Sequence, residues 1–434
     1  MPTSFTTQRS ILRNIIVGGS LQATLAETMA DALLTYRMRP ETSGFFQIAL
    51  EKESDLAYAG KGTSFATESR LIAQSSSGEI NSRLDDYLAG WFLAMVMGSE
   101  SITPLSTPVL ASLAGTLTVL NAGDLLSGTL SGVEGDGVTP YSIALGTPGA
   151  TDTLAHLLHA INVTYASYGI TATLSGPGTS MTFAATNGDA GAPTIVGSNL
   201  ADLAAAGPYA HILTWMDTGA PAQVTNIYGE DAPGLKRKFQ DMSCTKVVLS
   251  GTDKGSVMAK ASFIGTGRYA DGAMVALPAL PTVQYLYGSD ATISMGPAGE
   301  AVSMSPRILS WEATFDHAND LFRSCGGGIY PVFPRYGNPK VALKLVIAID
   351  TTSDVRDWMM EQTLLDVNIA IASGAASLTI DYPNVIIPKA DLGEQDKYVI
   401  YTVELDEQSI LKPTGGQVCT ATVVNNAPRY LTAA

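Results

Sequence analysis

The sequence predicts a mainly β protein, built to form a sandwich or barrel, with one flanking α-helix and an inserted small α+β domain. Three observations predict it. Period-two alternation of apolar and polar residues recurs through the C-terminal half, as half-buried strands require. One strong helical stripe lies between Ile80 and Gly98. Between Arg83 and Lys236 there is no lysine or arginine, and Ala, Gly, Thr, Ser and Leu dominate. That shift in composition marks an insertion.

The chain is organised around the stretch Ser243 to Gly267. Thr245, Val247 and Leu249 share one face of a first strand, with Lys246 and Ser250 opposite. Val257, Ala259, Ala261 and Phe263 share a face of a second, with Met258, Lys260 and Ser262 opposite. Gly251 to Gly255 supplies the glycines and aspartate of a tight connection.

Taken in order, Thr24 with Glu27 forms a capping box, and Leu25, Met29, Leu33 and Tyr36 recur at helical spacing, predicting a helix that stops at Pro40. Phe45 to Leu50 predicts a strand. Asp55 to Ser77 is polar and contains glycine, and reads as strands with long loops or an extension. From Ile80 on, Leu84, Tyr87, Leu88, Trp91, Phe92, Met95 and Val96 predict a helix packed on a core, with Asp85 and Asp86 in its first turn and Gly98 ending it. Within the insertion, Leu117–Leu120 and Thr129–Val133 predict strands, and Thr151–Tyr168 a helix ended by Gly169. Ile170–Leu174 and Ser180–Ala184 predict a hairpin around GPGT. The edges fall near Glu100 and Gly207, giving residues 1–100, 101–206 and 207–434 as the three segments.

Strand character resumes at Tyr209–Trp215 and Val224–Tyr228. After the central hairpin, Trp311, Ala313 and Phe315 alternate with Glu312, Thr314 and Asp316. Val341, Leu343, Leu345, Ile347 and Ile349 lie opposite Lys344 and Asp350. A short helix over Asp354–Gln362 docks through Val355, Trp358 and Met359. Three further strands present Val367, Ile369 and Ile371; Leu378, Ile380 and Tyr382; and Val399, Tyr401, Val403 and Leu405. One oily and one polar face per strand is what a sandwich or barrel requires.

The chain has 434 residues, a formal net charge of −15 and only 15% charged residues. An acidic chain does not grip nucleic acid, because phosphate binding needs a cationic surface. Cys244, Cys325 and Cys419 are few, odd in number and far apart, which predicts reduced, buried thiols. The N-terminus has no basic start followed by an apolar core, and the longest apolar run, near Trp91–Val96, is too short to span a bilayer. The expectation is a soluble protein made inside a cell.

No catalytic site, metal or cofactor is expected. AGKGTS at Ala59–Ser64 lacks the first glycine of a phosphate loop, since that position is Asp55. His156 and His159 lie three apart on the insert helix, but only His211 and His317 exist besides, and exposed helix histidines are the plainer reading. There is no G-x-S-x-G, H-E-x-x-H or Rossmann fingerprint. Lys236-Arg237-Lys238, the one basic cluster, reads as a solvated loop.

An ordered series of segments carries a resemblance: LDDYLAGWFLAMVMG, YAHILTW, FQDMSCTKVVLSGTDKGSVMAKASFIGTG, SWEATFDHANDL, NPKVALKLVIAID, SDVRDWMMEQ and SLTIDYPNVIIP. The layout resembles that of a tailed-bacteriophage tail tube protein, or major tail protein, and the resemblance covers about three quarters of the chain. The insertion has no counterpart in the minimal fold of that family. The resemblance implies a structural virion protein, assembled in the host cytoplasm, whose hexameric rings stack into a tube. Each subunit would lend one sheet to a continuous barrel around DNA in transit.

It also implies tape measure and tail terminator or tip proteins as partners. A hundred-residue insertion fits best on the outside of a bare, non-contractile tail, where it could touch host-surface glycans. The polar faces of the central hairpin (Lys246, Ser250, Lys260, Ser262) and its neighbours (Glu312, Thr314, Asp316, Lys344) are the candidate channel-wall or subunit-contact positions. Asp55–Ser77 is the candidate extension to the next ring. A minor tail or tail-tip ring protein, and a receptor-binding β-protein, are the alternatives. A glycan-cleaving enzyme comes last, for want of a paired-carboxylate cleft.

Overall fold

The computed structural model describes residues 16–21, 36–38, 40–54, 69–104, 110–112, 128–133, 140–145, 170–175, 180–185, 194–196, 209–232, 235–272, 283–325, 328–349, 354–374, 376–395, 397–425, 427 and 430–431. Its strands before the long helix are β1 (Ile16–Leu21), β2 (Tyr36–Met38), β3 (Pro40–Ser54) and β4 (Ser69–Arg83). Helix α1 is Asp86–Met97. Then come β5 (Gly98–Pro104), β6 (Leu110–Ser112), β7 (Gly128–Val133), β8 (Pro140–Leu145), β9 (Ile170–Ser175), β10 (Ser180–Ala185) and β11 (Thr194–Val196). The chain continues through β12 (Tyr209–Trp215), β13 (Thr225–Ala232), β14 (Leu235–Thr252), β15 (Met258–Gly265), β16 (Tyr269–Asp271), β17 (Ala291–Pro297) and β18 (Val302–Ser303). It ends with β19 (Ile308–Asp316), β20 (Asp320–Phe322), β21 (Phe333–Arg335), β22 (Lys340–Ala348), α2 (Asp354–Glu361), β23 (Leu365–Ser373), β24 (Ala376–Val385), β25 (Ala390–Gln395), β26 (Tyr398–Leu405) and β27 (Thr420–Asn425).

Two compact units emerge: Met1–Ser99 with Leu213–Ala421, and Glu100–Ile212 with Thr422–Ala434. In the first unit a large antiparallel sheet runs β3–β4–β15–β14–β19–β22–β26–β25, and β14 also carries β13 and β16 on its N-terminal half. The part of the second, seven-stranded sheet that lies wholly in this unit is ordered β18–β17–β23–β24. Among the described residues neither closes into a barrel. In the second unit, β6–β10–β9 and β11–β7–β8 form two small sheets, and the GPGT hairpin pairs Ser180 with Ser175 through to Ala185 with Ile170.

The alternation does what it predicts. Val247, Leu249, Ala259, Ala261, Phe263, Trp311, Ala313, Phe315, Leu343 and Leu345 are all buried on one face of the large sheet. The second sheet buries Ile293, Met295, Val367, Ile369, Ile371, Leu378, Ile380 and Tyr382. Helix α1 touches β14 and β19 of one sheet and β24 of the other. Leu88 to Met97 are buried without exception, so this helix is apolar all round, not striped. Around it Phe46, Trp91, Phe92, Phe239 and Phe263 form an aromatic cluster with centroids 5.4–6.4 Å apart.

A helix so deeply buried cannot leave its end groups to water. The Asp85 carboxylate accepts from the backbone N–H of Tyr87 and Leu88 at 3.1 and 2.7 Å, Ala89 donates to Asp85 O, and Asp86 donates to Gln284 O. At the other end Gly98 donates to Ala94 O. The Tyr336 hydroxyl donates to Met95 O at 3.3 Å, His317 Nδ1 to Val96 O at 2.8 Å, and Met216 N to Met97 O. Gly98 has φ +86, and a Cβ there would sit 2.6 Å from the Tyr336 ring, so glycine is required on both counts.

Several boundaries differ from expectation. The helix begins at Asp86, with Asp85 as its N-cap; Ile80 to Arg83 belong to β4, where Ile80 faces the core opposite Ala261. Ile80 and Leu84 satisfy both periods, and the cap decides. Tyr36–Met38 is a strand paired with β1, and Pro40 opens β3; the rest of the expected Thr24 helix lies outside the described residues. So do Leu117–Leu120, Thr151–Tyr168 and the histidine pair within it. Lys236-Arg237-Lys238 is no loop: it lies in β14 between β13 and β16. Along β26 the buried residues are Ile400, Val403 and Leu405, while Val399 is exposed, so the expected alternation slips at the sheet's end. Cys244 and Cys419 are buried free thiols, but Cys325 is exposed.

β14 spans 18 residues because it bends. At the bend Asp241 has φ 54, a left-handed conformation that aspartate tolerates better than most residues. Its fully buried carboxylate accepts from Thr266 Oγ1 at 2.8 Å and pairs with Arg268 at 3.1 Å. The bend lets one strand serve two sets of neighbours.

Candidate functional site

The eight candidate positions fall on four adjacent strands, and the register assembles them on one face. Three cross-strand rows run through β4, β15, β14, β19 and β22. The first is Glu79, Ser262, Lys246, Asp316 and Lys340. The second is Asn81, Lys260, Val248, Thr314 and Ala342. The third is Arg83, Met258, Ser250, Glu312 and Lys344, and it continues to Glu404 on β26. Residues directly opposite in antiparallel strands share a face, so all eight candidates lie together, away from the core.

Charges in these rows alternate in sign. Lys260 Nζ lies 2.9 Å from Glu79 Oε2, and Lys344 Nζ lies 2.6 Å from Glu404 Oε1. Ser262 Oγ donates to Glu79 at 3.3 Å. The Lys344 ammonium is held charged above its usual range, first by its hydrogen bond to Glu404 and then by the charges of Glu404 and Glu312. The rows hold Arg83, Lys246, Lys260, Lys340 and Lys344 against Glu79, Glu312, Asp316 and Glu404. The chain's net −15 is therefore not concentrated here. The face is a ladder of mixed charges.

Glu79, Asn81, Arg83, Lys340 and Glu404 complete the face and escape the sequence reading. Glu404 and Lys340 were available as polar alternates beside Val403 and Val341. The β4 residues were hidden because helical spacing runs through Ile80 to Leu84.

The second sheet offers a contrasting polar face. Thr292 pairs with Ala370, Ser294 with Asn368, Asn368 with Asp381, and Ala370 with Thr379. Asn368 Nδ2 donates to Asp381 Oδ1. Asp366 follows on the same side, and none of these side chains is cationic.

Among the described residues four strands of the large sheet, β2, β3, β16 and β25, have one neighbour each, and β3 and β25 end the run that carries the polar rows. Both ends expose apolar side chains: Leu50 and Ile72 at one, Leu392, Tyr398 and Val399 at the other. Residues 69–73 of β4 pair only with β3, so the outer part of this hairpin is a two-stranded ribbon.

Other candidate chemistry is sparse. Among the described residues no group of three or more His, Cys, Asp or Glu could hold a metal ion. His317 stacks on Tyr336 at 4.3 Å, and burial pulls its pKa down, partly offset by its contacts with Val96 and Met216. Burial pushes the Cys419 thiol up to about 12, despite the Trp215 Nε1 donor 3.2 Å away. Thiols so raised are inert. Among the described residues no helix is long and apolar enough to cross a membrane.

Open antiparallel sheets with one apolar and one polar face define a mainly β protein. The chain belongs to the phage tail tube protein family, whose model matches residues 40–406. No curated protein matches the sequence. Phage tail tube proteins are structural components of the virion, and this chain is one of them by family.

Proposed function

We propose that copies of this chain form rings, six to a ring, that stack into the tail tube through which DNA passes into the host. The observation that carries this reading is that β3 and β25, the end strands of the run bearing one continuous polar face, each have a single neighbour among the described residues. Exposed edges invite pairing, and closing a sheet across like copies removes them. The face bearing Lys246, Ser250, Lys260, Ser262, Glu312, Thr314, Asp316 and Lys344 is then the channel wall. Its lysines lie beside carboxylates, so passing phosphates meet few unengaged cations, and firm backbone binding needs such cations.

Asp55–Ser77 is the arm toward the next ring; residues 55–68 lie outside the described residues, and residues 69–77 belong to β4, whose outer part forms a ribbon with β3. A two-stranded ribbon is marginal alone, and its exposed Leu50 and Ile72 call for a cover. Residues 1–100 and 207–434 make the tube domain. The insertion, 101–206, decorates the outside of a non-contractile tail, where host glycans are within reach. Tape measure and terminator or tip proteins complete the assembly, in the virion and first in the host cytoplasm. No catalytic step is assigned to the chain.

A second reading places the cation-free face of Asp366, Asn368, Thr379 and Asp381 on the bore, which its lack of lysine and arginine favours. Negative-stain microscopy of the purified protein tests the common ground. Tubes with a central hole are expected. A single ring that never elongates would point to a tail-tip ring protein, and monomers at every concentration would overturn the proposal.

A further inference from the structure

The second unit is made of two stretches of chain, Glu100–Ile212 and Thr422–Ala434. A buried carboxylate stands where they meet. The Glu100 side chain is 3% exposed and that of His211 is 0% exposed. Glu100 Oε1 accepts from His211 Nδ1 at 2.7 Å. The backbone N–H of Tyr430 lies 3.1 Å from both carboxylate oxygens, and Leu431 N donates to Oε2 at 2.8 Å. The three groups are all donors, so the site fits an ionised carboxylate and offers these oxygens no acceptor.

Tyr430 is held twice more. Its ring meets the His211 ring edge-on at 4.7 Å. The Asn425 amide donates to its hydroxyl, while Asn425 Oδ1 accepts from Ala427 N at 2.9 Å. Glu100 is the first residue of the unit's long stretch and His211 its penultimate one. One side chain thus ties together the entry strand, the exit strand and the C-terminal stretch.

We propose that Glu100 is the clasp of a C-terminal strap: its negative charge, held in place by His211, locks Tyr430 and Leu431 onto the roots of the inserted unit. His211 is a positioning residue, since its other nitrogen, Nε2, is buried with no hydrogen-bond partner among the described residues and the ring is committed to the carboxylate. With the charge removed, the bonds from the Tyr430 and Leu431 amides lose their charge assistance and the strap loosens. The clasp is independent of tube formation, because it lies within one chain.

Amide hydrogen exchange of the full-length protein, read by mass spectrometry, tests it. Glu100→Gln keeps the shape and removes the charge. Exchange in the C-terminal peptide should speed up by about tenfold or more, as loss of charge-assisted bonds to buried amides implies. Peptides from Ser243–Gly267 should be unchanged. Leu431→Pro, which deletes one donor and leaves Glu100 in place, should release the same peptide. His211→Phe, which keeps the ring against Tyr430 but loses the donor, should loosen it less. Unchanged C-terminal exchange in both Glu100→Gln and Leu431→Pro would overturn the clasp. So would equal loss of protection in Ser243–Gly267, which would make Glu100 a general stability residue.

Discussion

The large sheet and the second sheet bury their apolar faces in the same way, yet their polar faces follow opposite designs. On the large sheet, long charged side chains of both signs face one another across strands, as Lys260 does Glu79 and Lys344 does Glu404. On the second, short side chains dominate and only aspartates carry charge, Asp366 and Asp381. A ladder of mixed charge attracts neither anion nor cation strongly, while an acidic surface repels phosphate outright. Two routes to a surface that DNA does not grip therefore coexist in one subunit, and charge sign along strand rows separates them where whole-chain charge cannot.

The largest effect should come from breaking one design at a time. Glu79→Lys with Glu312→Lys leaves Lys260 without its carboxylate and adds two further cations to this face in every ring. If this face lines the bore, genome delivery should fall on the order of 100-fold or more while tubes still form, because many phosphate contacts add. Asp366→Lys with Asp381→Lys should then leave delivery nearly unchanged. The reverse pattern, read by infectivity beside microscopy of the tubes, would move the bore to the second sheet.

Next in size is the core beneath the ladder. Phe263→Ala empties part of the aromatic cluster around α1 and should cost about 3–5 kcal/mol by chemical denaturation. Ile369→Val, under the second sheet, should cost about 0.5–1.5 kcal/mol.

Acid should weaken the first unit through His317. Its folded pKa is lowered by burial, so below the ordinary value the unfolded chain takes a proton that the folded chain refuses. This contribution is fully present above about pH 6.5 and is lost as pH falls toward the folded value, by at most about 1.4 kcal/mol per pH unit. Thermal melts from pH 7.5 to 5 would reveal the slope, and His317→Gln should flatten it. The smallest effect is the ladder's own stability. A double-mutant cycle on Lys344 and Glu404 should return about 0.2–1 kcal/mol, shrinking as salt is added.

Much of the fold is legible in the sequence because alternation is a local signal. Spacing alone assigns Val247, Ala261, Ala313 and Leu343 to the buried face, and they are buried. The eight polar positions are legible for the same reason, as the alternates of those residues. Register is not: nothing local pairs Lys260 with Glu79, which lies 181 positions earlier in the chain. The start of α1 is misplaced by spacing because Ile80 and Leu84 fit both periods, and the Asp85 cap settles which applies. Nor can composition reveal the ladder's balance, since a net charge says nothing of where charges stand. From sequence His211 is only the histidine of the strand YAHILTW; its carboxylate partner is 111 positions away.

Helix α1 also carries a consequence for biosynthesis. Its closing carbonyls wait for Met216, His317 and Tyr336, and one opening amide for Gln284. When residue 98 leaves the ribosome, none of these has been made. A twelve-residue oily rod must therefore linger, half capped, through some 240 further residues of translation, which proceeds at ~5–20 residues per second. For those tens of seconds the nascent chain is at its stickiest, and that interval is where a host chaperone would matter most.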